Sequence, residues 1–321
     1  MLFRLIQGYA RLAIKIYCRK IIINKPEYLK EAGPLLLASN HPNSFLDGMI
    51  MTTLFEEHVY SLARGDAFKK NNVNKFLRWL RLLPVYRTSE GVENLAYNYD
   101  TFAACIEVFK KKGIVLIFSE GLCINEWHLR PLKKGSARLA ISAWAQNIPL
   151  KILPVGFNYS SFKSYGKDVH INFGNIFSKE IIQQSDTQGT QFLTFNTILQ
   201  KQLQELVYEI DSKDLNAHQN HFPDNISPVK RILLFLPSVI GVLVHLPFFI
   251  IVKFYTDMKF KNSGHYDSVM TSLLMLLYPF YILLIAILMA TYSLWAGLVA
   301  ILFLPLAVWC FTQINYRLIP E

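Results

Sequence analysis

The chain has 321 residues, 52% of them hydrophobic and 17% charged, and a formal charge of +10 from 33 basic and 23 acidic side chains; soluble domains average about 45–50% apolar and about 25% charged. The apolar excess lies beyond residue 231 in three long runs, so the positive balance points to an anionic membrane surface rather than to nucleic acid, which gives no reason for such runs. Cys18, Cys105, Cys123 and Cys310 show no CxxC spacing, which argues against a zinc site or a disulfide framework and suits a reducing compartment.

From Leu2 to Tyr17 the basic residues Arg4, Arg11 and Lys15, continued by Arg19, recur at intervals of seven, four and four. On a helix they fall on one side, with Leu5, Leu12 and Ile16 on the rest. Such a helix either lies in the membrane interface with its cations toward head groups or packs on the domain. The interrupting cations make it unlike a cleavable signal peptide.

Ile21-Ile22-Ile23, Leu35 to Ala38 and His58 to Ala63 read as strands, the last followed by a basic helix with Lys69, Lys70 and Lys75. Leu82 to Arg87 is a short strand ending on an arginine, and residues 93 to 110 have helical spacing that stops at Lys110-Lys111-Lys112-Gly113. Ile114 to Phe118 is a continuous apolar strand of the buried type. Helix 136 to 147, strand 150 to 157, a further strand at 168 to 173 and a helix at 190 to 211 complete an alternation that predicts an α/β fold. The central sheet is expected to be mostly parallel or mixed, flanked by helices, with the reactive loops at its strand ends. His218 to Asp224 reads as a polar linker.

Beyond it, Ile232 to Val252 is long enough to span a bilayer, but Pro237, Gly241 and Pro247 also allow a kinked or re-entrant element. Val269 to Leu288 and Leu294 to Phe311 are cleaner spans. Lys230 and Arg231 precede the first segment, Lys253, Lys259 and Lys261 follow it, and Arg317 follows the last. Keeping these cations in the cytoplasm favours a first segment that dips in and returns and a hairpin of the last two, over three full spans.

Chemistry concentrates in a few stretches. His41-Pro42-Asn43-Ser44-Phe45-Leu46-Asp47 follows the Leu35 to Ala38 strand and opens a helix; a histidine and an aspartate at such a junction can form a base and its orienting carboxylate. Ser119-Glu120-Gly121 ends the buried strand and delivers a carboxylate and a flexible backbone to the same sheet edge. Arg87 ends a third strand there, and Lys133-Lys134-Gly135 turns into a helix, which suits an anion.

In this order and spacing, Asn40-His41 with Asp47, Leu83 to Arg87, Phe118 to Gly121 with Pro131 to Gly135, and Ile152-Leu153-Pro154-Val155 resemble the four motifs of the glycerolipid acyltransferase family, which includes glycerol-3-phosphate and lysophosphatidic acid acyltransferases. The resemblance covers residues 35 to 157. Two departures stand out. The family usually has four residues between His and Asp, and here there are five, which predicts a bulge around Pro42 to Ser44 with Asp47 still in reach of His41. The family's third motif commonly continues Gly-Thr-Arg, whereas this chain has Gly121-Leu122-Cys123; Arg130, Lys133 or Lys134 are the candidates to replace that arginine, unless the acceptor lacks a phosphate.

Periodicity and the apolar runs add an interfacial amphipathic helix at 1–24 and a membrane-embedded helical region at 223–321, of two or three hydrophobic segments, around an acyltransferase domain at 25–222. The resemblance implies a membrane-bound enzyme of phospholipid biosynthesis, its catalytic domain on the cytoplasmic face, acylating a lysophospholipid, first of all 1-acyl-sn-glycerol 3-phosphate. Glycerol 3-phosphate and a lysoaminolipid are alternative acceptors. Acyl-CoA or acyl-carrier protein is the implied donor, the bilayer the partner, and no cofactor or metal is needed. His41 is the implied base and Asp47 its orienter; Arg87, Glu120, Gly121, Lys133 and Lys134 bind substrate. Two rivals are a metal-dependent lipid hydrolase, with His41, Asp47, Glu120 and His128 as ligands, and a non-catalytic membrane scaffold.

Overall fold

A computed structural model describes residues 2–86, 97–182 and 187–314. Three strands form the middle of the sheet: β2 (Leu35–Ser39), β5 (Ile114–Phe118) and β6 (Lys151–Tyr159). Their near-continuous apolar runs are what a strand covered on both faces requires. Leu35 and Leu37 enter one core while Leu36 and Ala38 enter the other, and β5 divides Ile114 and Leu116 from Val115 and Ile117 in the same way. The first core is closed by α1 (Leu2–Tyr17) and α2 (Ser44–Leu54), the second by α4 (Tyr97–Lys110), α5 (Gly135–Ala145) and α6 (Gln188–Leu206).

With β1 (Lys20–Ile23), β3 (Val59–Arg64), β4 (Leu82–Val85) and β7 (Asp168–Phe173), the sheet has seven strands among the described residues, in the order β1-β7-β6-β2-β5-β3-β4. The five from β6 to β4 are parallel; β7 runs against β6, and β1 runs with β7. The expected mixed α/β fold is therefore present. Register pairs Leu37 with both Leu116 and Leu153, so the ends of the five parallel strands converge on one edge. In an open α/β sheet that carboxyl edge is where ligands bind.

The helix over Leu2–Tyr17 and the strand at Ile21 to Ile23 are where they were expected, so the segment assigned as an interfacial helix over 1–24 is helical only as far as Tyr17. Other expectations are corrected. Arg19, expected as the fourth member of an exposed basic stripe, is buried with its guanidinium on Asp168 and Asp224; the helix has ended before it, so it no longer follows the stripe. The polar linker is part of a short helix, α7 (Leu215–His221), capped by Asp214, which accepts from the Ala217 N–H at 2.9 Å. His218 is buried there against the Ser160 carbonyl at 2.6 Å. The basic segment after β3 forms α3 (Asn71–Trp79), with Lys69 and Lys70 just before it.

Three C-terminal helices, α8 (Pro228–Phe260), α9 (Tyr266–Ala290) and α10 (Leu294–Ile314), are each long and apolar enough to cross a membrane, so the protein is a membrane protein. The first is not the dip-and-return element preferred from the charges. It is one uninterrupted helix of 33 residues, about 50 Å long, started by Ser227 accepting from the Lys230 N–H and by Pro228 in its first turn. Pro237 and Pro247 each remove one donor without ending it. Glycines let these helices meet: a Cβ on Gly241 would lie 2.6 Å from the Ala307 carbonyl oxygen.

Candidate active site

The site is built where β2 gives way to α2. Ser39 and Asn40 are buried, and the Asn40 side chain is locked to the backbone of Phe157, accepting from its N–H at 2.8 Å and donating to its carbonyl at 3.0 Å. The chain then turns through Asn43, with Ser44 at a φ of +49°. That left-handed residue accommodates the five-residue gap, at a cost of about 1–2 kcal/mol for a non-glycine residue. It returns Asp47, in the first turn of α2, to His41: Nδ1 of His41 lies 2.9 Å from Oδ2 of Asp47.

Asp47 is fully buried. Oδ2 also accepts the Asn43 backbone N–H at 2.9 Å, and Oδ1 accepts the Tyr159 hydroxyl at 2.6 Å. Burial, with the nearby Asp47 charge, holds the Tyr159 phenol well above its usual range, so it remains a donor. The carboxylate is thus held by the Asn43 N–H and the Tyr159 hydroxyl and in turn fixes the imidazole, which stacks on Phe118 with ring centroids 3.6 Å apart. With Nδ1 engaged, the remaining nitrogen, Nε2, is left for the cavity that His41 lines.

Glu120 follows β5 and is 5% exposed. Oε2 accepts the His41 backbone N–H at 2.8 Å and Oε1 accepts the Arg130 backbone N–H at 2.9 Å. Its carboxyl ties the histidine turn to the 121–134 loop. Burial pushes it up to about 7, against the pull of those two N–H donors and with the charges of Asp47 and Glu126 adding to the rise.

Gly121, at a φ of +72°, lets the Lys133 stem pass: a Cβ there would lie 2.9 Å from Lys133 Cγ. The Lys133 N–H donates to the Ser119 carbonyl at 2.7 Å and Ser119 and Ser136 hydroxyls meet at 2.8 Å, so the start of α5 is seated on the end of β5.

These groups surround a cavity of about 1650 Å³. Of the residues predicted from sequence, His41, Gly121, Lys133 and Lys134 line it, while Asp47 and Glu120 stand behind the wall. Arg87 lies outside the described residues. Arg64, at the end of β3, and Arg138, one helical turn beyond Lys134, line the cavity and were missed. Their signals were present as a cation ending a strand and an i,i+4 pair at a helix start. Tyr159 was missed as well. Arg130 is occupied by Glu126 and is not part of the lining. His128 pairs with Glu209 at an exposed position, and among the described residues no three His, Cys, Asp or Glu side chains converge as a metal-binding group. Cys123 lines the cavity and accepts the Ser44 N–H at 3.0 Å.

Residues 20–158 match the model of a protein family described as Acyltransferase. No curated protein matches the chain. Among solved structures, the crystal structure of the 1-acyl-sn-glycerophosphate acyltransferase from Thermotoga maritima is similar at 15% identity and a TM-score of 0.44, over 64% of this chain and 79% of that one. The match identifies residues 20–158 as an acyltransferase domain.

Proposed function

With the acyltransferase match of residues 20–158 as the premise, we propose that the enzyme moves a fatty acyl group from acyl-CoA or acyl-carrier protein to the free hydroxyl of a lysophospholipid, 1-acyl-sn-glycerol 3-phosphate first among the candidates. The observation that carries this reading is the pairing of His41 Nδ1 with the buried Asp47 carboxylate at 2.9 Å, beside a cavity of mixed apolar and basic lining.

In this reading Asp47 keeps the proton on Nδ1, so Nε2 has the free lone pair. Nε2 takes the proton of the acceptor hydroxyl as its oxygen attacks the thioester carbonyl. The tetrahedral intermediate collapses by breaking the C–S bond, and the imidazolium returns the proton to the leaving thiolate. Asp47 stabilises the imidazolium while it exists. No covalent acyl-enzyme is needed, so Ser44 and Cys123 are not required as nucleophiles. Glu120 acts by holding the His41 backbone, and Gly121 by admitting Lys133. Arg64, Lys133, Lys134 and Arg138 supply cations for substrate phosphates, and Arg87 belongs with them by its sequence position. Ile6, Ala10, Met49, Met275 and Leu276 give the cavity an apolar wall for an acyl chain, and the last two belong to a membrane helix. Lys253, Lys259 and Lys261, at the end of α8 that leads into α9 and the site, support a catalytic domain on the cytoplasmic face.

The test is transfer by the purified enzyme in lipid vesicles, from labelled acyl-CoA to a panel of lysophosphatidate, glycerol 3-phosphate, other lysophospholipids and a lysoaminolipid, with products identified by mass. Diacyl phosphatidate as the dominant product is expected. A dominant product from another acceptor replaces the acceptor assignment, and full turnover by His41→Ala removes the base assignment.

A further inference from the structure

The histidine turn is held from outside the sheet as well as from within. The first turn of α9 and the residue before it reach it at four points. Asn43 Nδ2 donates to Asp267 Oδ2 at 2.7 Å, and Ser44 Oγ meets His265 Nδ1 at 2.7 Å. Ser268 Oγ donates to the Asn43 carbonyl at 3.2 Å and accepts the Leu46 N–H at 3.3 Å. Asp267 is 1% exposed. Its carboxylate also takes Lys167 Nζ at 2.5 Å and the Tyr17 hydroxyl, and both of those residues are buried.

Removing a lysine and an aspartate from water costs several kcal/mol per ion, and the pair's mutual attraction often no more than offsets it. Such a pair is therefore a weak source of stability, but it does set geometry. The geometry it sets here is that of Asn43, whose backbone N–H is one of the three donors on Asp47, and of Ser44, whose left-handed backbone persists only where surrounding contacts over-determine it. Tyr17, Lys167, Asp267 and Ser268 all lie outside residues 20–158, the part that matches the acyltransferase family. The clamp is supplied by this chain's own flanking elements, and above all by a membrane helix.

We propose that Asp267 is a positioning residue for acyl transfer, acting with Ser268 through Asn43 to hold the Asp47–His41 pair in register, so that α9 is part of the catalytic apparatus as well as a membrane anchor. This rests on His41 being the base.

The full-length enzyme in vesicles provides the test. Lys167→Met/Asp267→Ala removes both charges together, so neither is left buried and unpaired. It is expected to melt within a few degrees of wild type while kcat falls about thirtyfold, with both KM values within about twofold, since misplacement on the order of 1 Å is worth up to about a hundredfold in rate. Wild-type kcat in a folded double variant overturns the proposal. Ser268→Ala leaves the ion pair intact and guards against a failure to fold: a kcat loss of about fivefold at unchanged KM is expected, and unchanged kcat overturns the proposal. His41→Ala run alongside separates the two levels. If it is inactive while both clamp variants match wild type, only the clamp is refuted; if it is active, the base assignment itself fails.

Discussion

The Tyr159 hydroxyl donates at 2.6 Å to Oδ1 of Asp47, the carboxylate oxygen that His41 leaves free. Two fully buried residues 112 positions apart thus join the end of β6 to the first turn of α2. Tyr159→Phe removes only that donor. A loss of about 1.5–3 kcal/mol in unfolding free energy is expected, because the acceptor is charged and buried, together with a fall in kcat as Asp47 gains freedom to turn away from the imidazole. Denaturant unfolding and steady-state kinetics measure the two; unchanged values in both would show that the hydroxyl contributes nothing to the pair.

His41→Ala should bring acyl transfer to background while the protein remains folded and membrane-bound. Asp47→Asn should lower kcat by about a thousandfold or more, because an amide in that place no longer enforces the Nδ1–H tautomer. Circular dichroism and flotation with vesicles check that the losses are chemical.

Glu120 gives the protein a pH-dependent stability of defined sign. Its folded pKa, about 7, lies above its ordinary value of 4.5, so the folded state holds this proton more tightly than the unfolded one. The contribution is fully present below about 4.5, is lost as pH rises to about 7, and is level above that, for a total of about 3 kcal/mol. Glu120→Gln cannot titrate. Between pH 4.5 and 7 the wild type should therefore lose stability relative to Glu120→Gln, and parallel unfolding curves across that range would place the carboxyl in the ordinary range.

Lys133 and Lys134 are exposed on the cavity rim. Lys133→Ala/Lys134→Ala should raise KM for a phosphate-bearing substrate about tenfold, with kcat little changed, and the effect should shrink in high salt because exposed charges are screened. Arg138→Ala should act in the same direction. A kcat effect at constant KM would instead tie these cations to the transition state.

Arg19 has no exposed side-chain surface and meets Asp168 and Asp224, joining the end of the N-terminal helix to β7 and to the approach to α8. Arg19→Met leaves Asp168 buried without its partner and should destabilise the protein by about 3–5 kcal/mol, read by thermal or chemical unfolding. A loss under 1 kcal/mol would mean that water reaches Asp168.

The sheet was legible because apolar runs such as Leu35 to Ala38 and Ile114 to Phe118 are local signals, and the turn residues that bound them are local too. The same holds for His41, Asp47, Gly121 and Lys133, which sit in short stretches with recognisable spacing. The direction of β7 was not legible, since a strand's pattern is the same whichever way it runs. Arg19 misled because its helical spacing continues past the last helical residue. The supports of Asp47 were invisible for a different reason: Tyr159 and Asp267 are 112 and 224 residues from their partners, and no periodicity connects them. Glu120 was placed on the correct edge, but sequence could not show that both its oxygens are occupied by backbone N–H groups.

Asn43 and Asp267 are also far apart in time. A ribosome adding about 5–20 residues per second makes the histidine turn roughly 10–45 s before it makes the acid that fastens it, and that acid begins a helix which the bilayer must receive. The nascent domain therefore carries its histidine with the last fastening absent, and the fastening arrives only with the membrane hairpin. Under the positioning role proposed for Asp267, chemistry waits for α9 and the bilayer that receives it.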